Sequence, residues 1–165
     1  MLEAPNVNAL VVYATKHGST EEVARVIAER LRQAGVSVDV AAARDVRAEV
    51  SGYSLVVLGG AIYAGRWHRD AHVFLKRHRE QLESLRVAVF GMGPRETTDD
   101  AFERAAGQLR RALAKRSWLA PVSTAIFGGV DPPLRSERKA RRDARNWTVI
   151  ADWASSLVAR ARTAA

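Results

Sequence analysis

Near its beginning the chain reads Ala9-Leu10-Val11-Val12-Tyr13-Ala14-Thr15-Lys16-His17-Gly18-Ser19-Thr20. The apolar first half is typical of a buried strand in a parallel sheet. After Thr20, apolar side chains recur at helical spacing, at Val23, Val26, Ile27 and Leu31. In the turn between them, free backbone N–H groups and the positive end of the helix dipole attract an anion, and Gly18 allows close approach. The stretch therefore predicts a strand, a phosphate-binding loop and a helix.

The loop differs from two widespread phosphate-binding motifs. The chain has no G-x-x-x-x-G-K-[ST] run and no G-x-G-x-x-G after the first strand. A hydroxyl-rich T-x-x-G-x-T loop suits a terminal monophosphate, because three phosphate oxygens accept many hydrogen bonds. The alternative is a capping box formed by Ser19 and Glu22, which leaves the rest of the loop unexplained. We predict that phosphate is bound by Thr15, Lys16, His17, Gly18, Ser19 and Thr20.

Strand and helix patterns alternate along the rest of the chain. Further strands are predicted at 36–40, 53–60, 87–91 and 122–128, and further helices start near Asp70, near Asp99 or Asp100, and near Trp147. This alternation predicts a three-layer α/β sandwich around a five-stranded parallel sheet. The number of strands and helices matches a known doubly wound fold whose strand order is 2-1-3-4-5. A length of 165 residues fits a single domain over 1–165.

The composition excludes several classes of chemistry and favours anionic partners. There is no cysteine, which excludes disulfides, zinc–thiolate sites and thiol redox chemistry. Without a membrane-length apolar run or a signal-peptide pattern, a cytoplasmic protein is expected. The net charge is +8, from 26 Lys and Arg against 18 Asp and Glu. A short basic insert at about 131–145 concentrates this charge, in Arg135, Arg138, Lys139, Arg141, Arg142 and Arg145 against Glu137 and Asp143.

Two more loops fall at the carboxyl ends of central strands, where open α/β sheets bind ligands. The first covers 59–68, and its Tyr63 and Trp67 offer aromatic faces for stacking, unless both pack against the second helix. Arg66 and His68 in the same loop could supply positive charge. The second loop starts Gly91-Met92-Gly93-Pro94, a backbone suited to a close ring contact or to an ordinary turn. His68 and His72 lack a third ligand, so no metal site is expected.

The hydroxyl-rich loop resembles the one that holds the FMN phosphate in the flavodoxin superfamily. The resemblance implies FMN as cofactor and assigns the flavin ring to the two loops above, at Ala61, Ile62, Tyr63, Ala64, Gly65, Gly91, Met92 and Gly93. The tract 60–68, the pair Asp152-Trp153 and Gly128-Gly129 before the insert resemble the menaquinone-dependent protoporphyrinogen IX dehydrogenase branch. That branch implies hydrogen transfer from a tetrapyrrole through FMN to a quinone. Its insert is longer and more apolar than this arginine-rich one.

Three hypotheses follow. The chain is an FMN-dependent oxidoreductase acting on a small-molecule redox substrate or a redox protein, a flavodoxin-type electron carrier, or a non-enzymatic anion-binding module. Familiar flavodoxin carriers are acidic, whereas this chain is basic. The basic residues of 135–145 are candidates for contact with an anionic membrane at its inner face. Nucleic acid is the less favoured partner.

Overall fold

The molecule, seen in a computed structural model, is described over residues 7–131 and 142–162. Most of the basic insert lies outside the described residues. The strands are β1 (Asn8–Ala14), β2 (Ser37–Ala42), β3 (Leu55–Tyr63), β4 (Arg66–Trp67), β5 (Arg86–Met92) and β6 (Ser123–Phe127). The helices are α1 (Ser19–Gln33), α2 (Arg69–Arg77), α3 (Arg79–Leu82), α4 (Asp99–Ala114) and α5 (Trp147–Arg162), and a short 3-10 turn covers Ala43–Asp45.

The sheet has the predicted parallel order with one addition. Its strands run β2-β1-β3-β5-β6, and the small strand β4 pairs antiparallel with the end of β3. Apart from β4, this is the predicted five-stranded order. The register places Ala14 beside Gly60 and Gly60 beside Gly91. The central strands therefore end together, and the loops that follow them meet at one edge of the sheet.

Helices cover both faces of the sheet, which confirms the three-layer architecture. Helices α1 and α5 pack on one face, where Ile27 and Leu157 are fully buried with Phe90 of the sheet. Helices α2 and α4 pack on the other face, where Phe74 and Leu109 contribute to a second cluster. Both faces of the central strands are thus buried, as their almost continuous apolar sequence indicates.

The second predicted helix is interrupted at His78. Helix α2 ends at Arg77 and α3 begins at Arg79, while His78 adopts φ −105° between them. The ring of His78 is buried, and its Nε2 lies 3.0 Å from the carbonyl oxygen of Val46. His78 is therefore a buried histidine whose ring is hydrogen-bonded within the core.

The predicted loop 59–68 is instead a β-hairpin, and this corrects the sequence interpretation. Strand β3 continues to Tyr63, and a two-residue turn of Ala64 (φ 48°) and Gly65 (φ 76°) leads back into β4. Positive φ at both turn residues matches the right-handed twist of a hairpin. Gly59 and Gly60 lie inside the strand: a Cβ atom would strike the Phe90 ring at Gly59 and lie 2.5 Å from Trp67 Nε1 at Gly60. These glycines make room for core aromatic side chains.

Candidate functional site

The loop between β1 and α1 is an open helix N-terminus. Gly18 is the N-cap residue at φ 90°, in the left-handed region that favours glycine, and no side chain among the described residues caps the helix. Ser19 is therefore already the first helical residue, so the proposed capping box of Ser19 and Glu22 is wrong. The hydroxyl of Thr15 accepts a hydrogen bond from the Gly18 N–H at 3.0 Å and fixes the loop. Free N–H groups of the first turn remain directed at the loop.

Thr20, in the first turn of α1, carries a buried hydroxyl with unused hydrogen-bonding capacity. Its exposure is 0%, and Oγ1 has no hydrogen-bond partner within residues 7–131 and 142–162. Buried side-chain hydroxyls are nearly always paired, and leaving one unpaired costs about 1–3 kcal/mol. A phosphate group at this helix end would supply the missing acceptor. The loop therefore fits a phosphorylated cofactor.

Four loops surround a cleft at the carboxyl edge of the sheet. It is lined by Thr15, Lys16, His17, Ser19, Ala61, Ile62, Tyr63, Met92, Gly93, Arg95, Gly129, Val130 and Asp131. The structure thus brings the predicted phosphate loop together with both predicted ring loops. Gly18 and Thr20 belong to the loop and first turn without lining the cleft, and Ala64 and Gly65 face a neighbouring cavity. Gly91 lies within β5, where a Cβ atom would come 2.9 Å from Ile62 Cδ1.

The two aromatic residues of the hairpin have different surroundings. Tyr63 is 41% exposed at the hairpin tip, with its ring centroid 6.4 Å from that of His17. Trp67 is buried and meets the ring of His72 edge-on at 5.4 Å. The packing alternative is therefore correct for Trp67, and Tyr63 is the aromatic face that the cleft presents.

Arg95 and Asp131 form a charged rim that the sequence analysis did not identify. The Arg95 guanidinium lies over the Tyr63 ring, 5.6 Å from its centroid, and Nε lies 3.6 Å from Asp131 Oδ1. Asp131 Oδ2 accepts hydrogen bonds from the backbone N–H and Nε of Arg142, at 2.8 and 3.2 Å. The pKa of Asp131 is lowered, most of all by the hydrogen bond from the Arg142 backbone N–H. The positive charges of Arg142 and Arg95 lower it further. This carboxylate therefore stays ionised and holds Arg95 at the rim.

The two ends of the basic insert are joined beside this rim. The Asp131 N–H donates a hydrogen bond to the Arg142 carbonyl oxygen at 2.8 Å. The Ala144 N–H donates one to the Gly129 carbonyl oxygen at 2.9 Å. Arg145 adds a link to α1 through its ion pair with Glu22 at 2.6 Å. The side chain of Arg145 is only 10% exposed and also pairs with Asp143. Arg145 is therefore unavailable to a membrane, although it is one of the basic residues of 135–145 that were predicted to contact one.

A second cavity of about 310 Å³ lies on the far side of the hairpin and the Gly93–Arg95 loop. Its apolar surface includes Ile62, Ala101 and Ala105, and its polar lining includes Arg95, Glu96, Arg104, Gln108 and Arg142. Three residues, Ile62, Gly93 and Arg95, line both this cavity and the cleft. The two spaces therefore adjoin at these three residues.

The remaining candidate side chains have structural roles away from the cleft. His68 caps α2, since its Nδ1 accepts a hydrogen bond from the Asp70 N–H at 3.0 Å. Burial, together with the charges of Arg116 and Lys115, lowers the pKa of His72. Across the part of the chain that the structure describes, no three His, Asp or Glu side chains are grouped to hold a metal ion. None of the described helices is both long and apolar enough to cross a bilayer.

Comparison with known proteins identifies the family. Residues 10–134 match the Flavodoxin domain family. The chain belongs to this family. Membership points to FMN as the cofactor, and the open helix end with the unpaired Thr20 hydroxyl fits its phosphate.

Solved flavodoxins share the fold at low sequence identity. Flavodoxin 1 of Bacillus cereus is 18% identical with a TM-score of 0.61, and the match covers 92% of this chain and 97% of that one. The flavodoxin of Streptococcus pneumoniae TIGR4 is 21% identical with a TM-score of 0.59, over 93% and 99% of the two chains. These neighbours confirm the flavodoxin-like fold.

A curated relative matches more closely over a shorter stretch. Protoporphyrinogen IX dehydrogenase [quinone] of Escherichia coli K12 is 30% identical over 84 residues, covering 50% of this chain and 46% of the enzyme. The enzyme of Escherichia coli O157:H7 matches with the same figures. The match thus spans about half the length of these curated relatives.

Proposed function

We propose that this chain is an FMN-dependent oxidoreductase of the protoporphyrinogen IX dehydrogenase type, which oxidises a reduced substrate and delivers electrons to a quinone or another acceptor. A flavodoxin-like fold supports electron transfer in general. The partial match to the Escherichia coli enzymes supports the more specific activity.

The observation that carries the enzyme proposal is the space beside the cleft. Tyr63 is the exposed aromatic side chain on the hairpin side, whereas the opposite loop of Gly93, Pro94, Arg95 and Glu96 contains no aromatic residue. That loop also forms a wall of the 310 Å³ cavity. A carrier needs to shield its flavin, but an enzyme needs room for a reactant against it. The second cavity provides that room.

The residues of the chain have distinct tasks in this proposal. The FMN phosphate would be held by the N–H groups of the first turn of α1 and by the hydroxyls of Thr15, Ser19 and Thr20. Lys16 would add a positive charge and His17 a polar ring. When bound, FMN supplies the two-electron chemistry that links a reduced substrate to its acceptor. Tyr63 would limit the cleft on one side. Arg95 would place a fixed positive charge at its rim, where it favours an anionic reduced ring.

The test combines cofactor binding with turnover. Purified protein is titrated with FMN and followed by visible absorption, and the loaded protein is then assayed with protoporphyrinogen IX and a menaquinone analogue. Stoichiometric FMN binding with quinone-dependent porphyrin formation is expected. FMN binding without oxidation of the porphyrinogen would favour the electron-carrier alternative. Failure to bind FMN at high concentration would leave the non-enzymatic anion-binding module as the remaining hypothesis.

A further inference from the structure

Two carboxylates lie in the first turn of α1, the helix end whose open N–H groups fit a phosphate. Glu21 and Glu22 follow directly after Thr20, and the Glu22 N–H donates a hydrogen bond to the Gly18 carbonyl oxygen at 3.2 Å. Glu22 therefore lies one helical turn from the N-cap, roughly 6 Å along the helix axis. Acidic residues at a helix N-terminus stabilise the helix, but they repel an anion that binds at the same end. Tight binding of a phosphate here requires that their charges be offset.

Each of the two carboxylates is paired with an arginine. Glu21 Oε2 accepts a hydrogen bond from Arg25 Nε at 3.4 Å, and Glu22 Oε2 accepts one from Arg145 Nη1 at 2.6 Å. The first pair lies within α1, and its arginine side chain is 61% exposed, so solvent screens the pair strongly. The second pair joins residues 123 positions apart in the chain, and its arginine side chain is 10% exposed. Arg145 is therefore the better placed cation for offsetting a carboxylate of the first turn.

The guanidinium of Arg145 is held on three sides. Its Nε and Nη2 donate hydrogen bonds to Asp143 Oδ1 and Oδ2 at 2.9 and 2.7 Å, which is a forked arginine–carboxylate pair. Its central carbon lies 4.7 Å from the centroid of the Trp147 ring. The remaining nitrogen, Nη1, bonds to Glu22. Because Asp143 and Trp147 already fix the guanidinium, the ion pair with Glu22 costs less side-chain entropy than an ordinary surface pair.

Arg145 also connects the phosphate end of α1 to a wall of the cleft. Val130 and Asp143 form an antiparallel bridge where the basic insert returns to the sheet, and Gly129 and Val130 line the cleft. Arg145 could therefore act as a tether for that wall or as a charge that offsets Glu22. Loss of a tether would disturb the binding of any flavin in the cleft. Loss of a charge offset would disturb only the binding of a flavin that carries a phosphate.

We infer that Arg145 is a positioning residue for phosphorylated ligands. It holds the Glu22 carboxylate in an ion pair, and this gives the α1 end its preference for a flavin with a phosphate over the same flavin without one. The inference rests on the proposed assignment of the FMN phosphate to this loop, and it is independent of the substrate that the protein oxidises. One arginine of the basic insert thereby acts on the cofactor from within the protein.

The test compares FMN with riboflavin, which has the same ring and ribityl chain but no phosphate. Both are titrated at low and high salt, followed by quenching of flavin fluorescence, into the wild-type protein, Arg145→Met, Glu22→Gln and the double variant. Arg145→Met should raise the Kd for FMN about 3- to 15-fold and leave the Kd for riboflavin unchanged. Coulomb's law gives this range for unit charges one to two helical turns apart at a permittivity of roughly 40. The difference should shrink at high salt, because the Glu22 side chain is 63% exposed.

The second substitution should restore binding if Arg145 acts by offsetting Glu22. Glu22→Gln alone should bind FMN at least as tightly as the wild-type protein, because a repelling carboxylate is removed. The double variant lacks both charges of the pair, so its Kd for FMN should return to within about twofold of the wild-type value. Arg30→Met is the matched control: Arg30 is an exposed arginine of α1 that bonds to Ser155, roughly 18 Å along the helix axis from Gly18. It should change neither Kd.

The outcomes separate this inference from the proposed function. If Arg145→Met weakens FMN and riboflavin equally and Glu22→Gln does not restore binding, Arg145 is a tether and the inference is wrong. If Arg145→Met binds FMN with wild-type affinity, the inference is wrong while the proposed enzyme is unaffected. If the wild-type protein binds FMN no more tightly than riboflavin, the phosphate assignment is wrong and the inference with it. If all Kd values behave as expected but the loaded protein does not oxidise the porphyrinogen, the inference is supported and the proposed activity is wrong.

Discussion

Thr20→Val replaces one buried hydroxyl by a methyl group of similar size in the first turn of α1. Without FMN, the hydroxyl is fully buried and unpaired within the described residues, so its removal relieves a desolvation cost. Threonine and valine have similar helix propensities, which leaves the hydroxyl as the main difference. We expect the free energy of unfolding of the FMN-free protein to rise by about 1–2 kcal/mol.

The same substitution should have the opposite effect on cofactor binding. If the hydroxyl donates to the phosphate, its loss removes a charge-assisted hydrogen bond of about 1.5–3 kcal/mol, or about 10- to 150-fold in Kd. Urea unfolding of the FMN-free protein measures the first effect, and quenching of FMN fluorescence on titration measures the second. The combination of higher stability and lower affinity is the signature of a binding-site hydroxyl.

Thr124→Val provides the control because Thr124 is an exposed residue of β6, far from the loop in sequence and outside the cleft. It should change neither quantity by more than about 0.5 kcal/mol. A Thr20→Val protein that is less stable without FMN and binds FMN with wild-type affinity would refute the reasoning. The hydroxyl would then be satisfied inside the protein, and the phosphate assignment of this loop would fall.

Three further predictions concern the hairpin and α2. Tyr63→Ala should alter the absorption spectrum of bound FMN while urea unfolding of the FMN-free protein changes little, because the residue lies at the hairpin tip and is 41% exposed. Ala64→Gly should raise the unfolding free energy by about 1 kcal/mol, since it relieves a residue at φ 48°. Burial and the neighbouring cations Arg116 and Lys115 lower the pKa of His72 below 6.5, so the folded state takes up fewer protons than the unfolded chain. Stability should therefore fall as pH drops through 6.5, and urea titrations of His72→Gln should show a shallower decline.

The sheet and the phosphate loop could be predicted because their signals are local in sequence. Apolar runs such as 9–14 and 87–91 are too short for a buried helix and are typical of a buried strand, and the helical spacing after Gly18 indicates α1. Parallel pairing then follows from the alternation of strands and helices. The order of the five main strands was predicted from the match to a known doubly wound fold and not from a local signal, and the observed order agrees with it.

The hairpin and the charged rim depend on contacts between distant residues, and the sequence does not reveal these. Gly59 and Gly60 are typical of a loop, but they are needed inside β3 because Phe90 and Trp67 pack across them. Arg95 and Asp131 come from different loops, so nothing local indicates that they pair at 3.6 Å. Gly129, two residues before Asp131 and directly after the fifth predicted strand, is the local signal for that part of the cleft.

Arg95 lies where the cleft and the neighbouring cavity adjoin. Its guanidinium lies over Tyr63 and pairs with Asp131, while its side chain lines both the cleft and the cavity. Asp131 in turn is bonded to Arg142, where the basic insert returns to the sheet. A ligand that draws Arg95 toward one space therefore changes the charge available to the other. Occupation of the cleft and occupation of the cavity are consequently expected to be coupled through this side chain, in both directions and by the same factor.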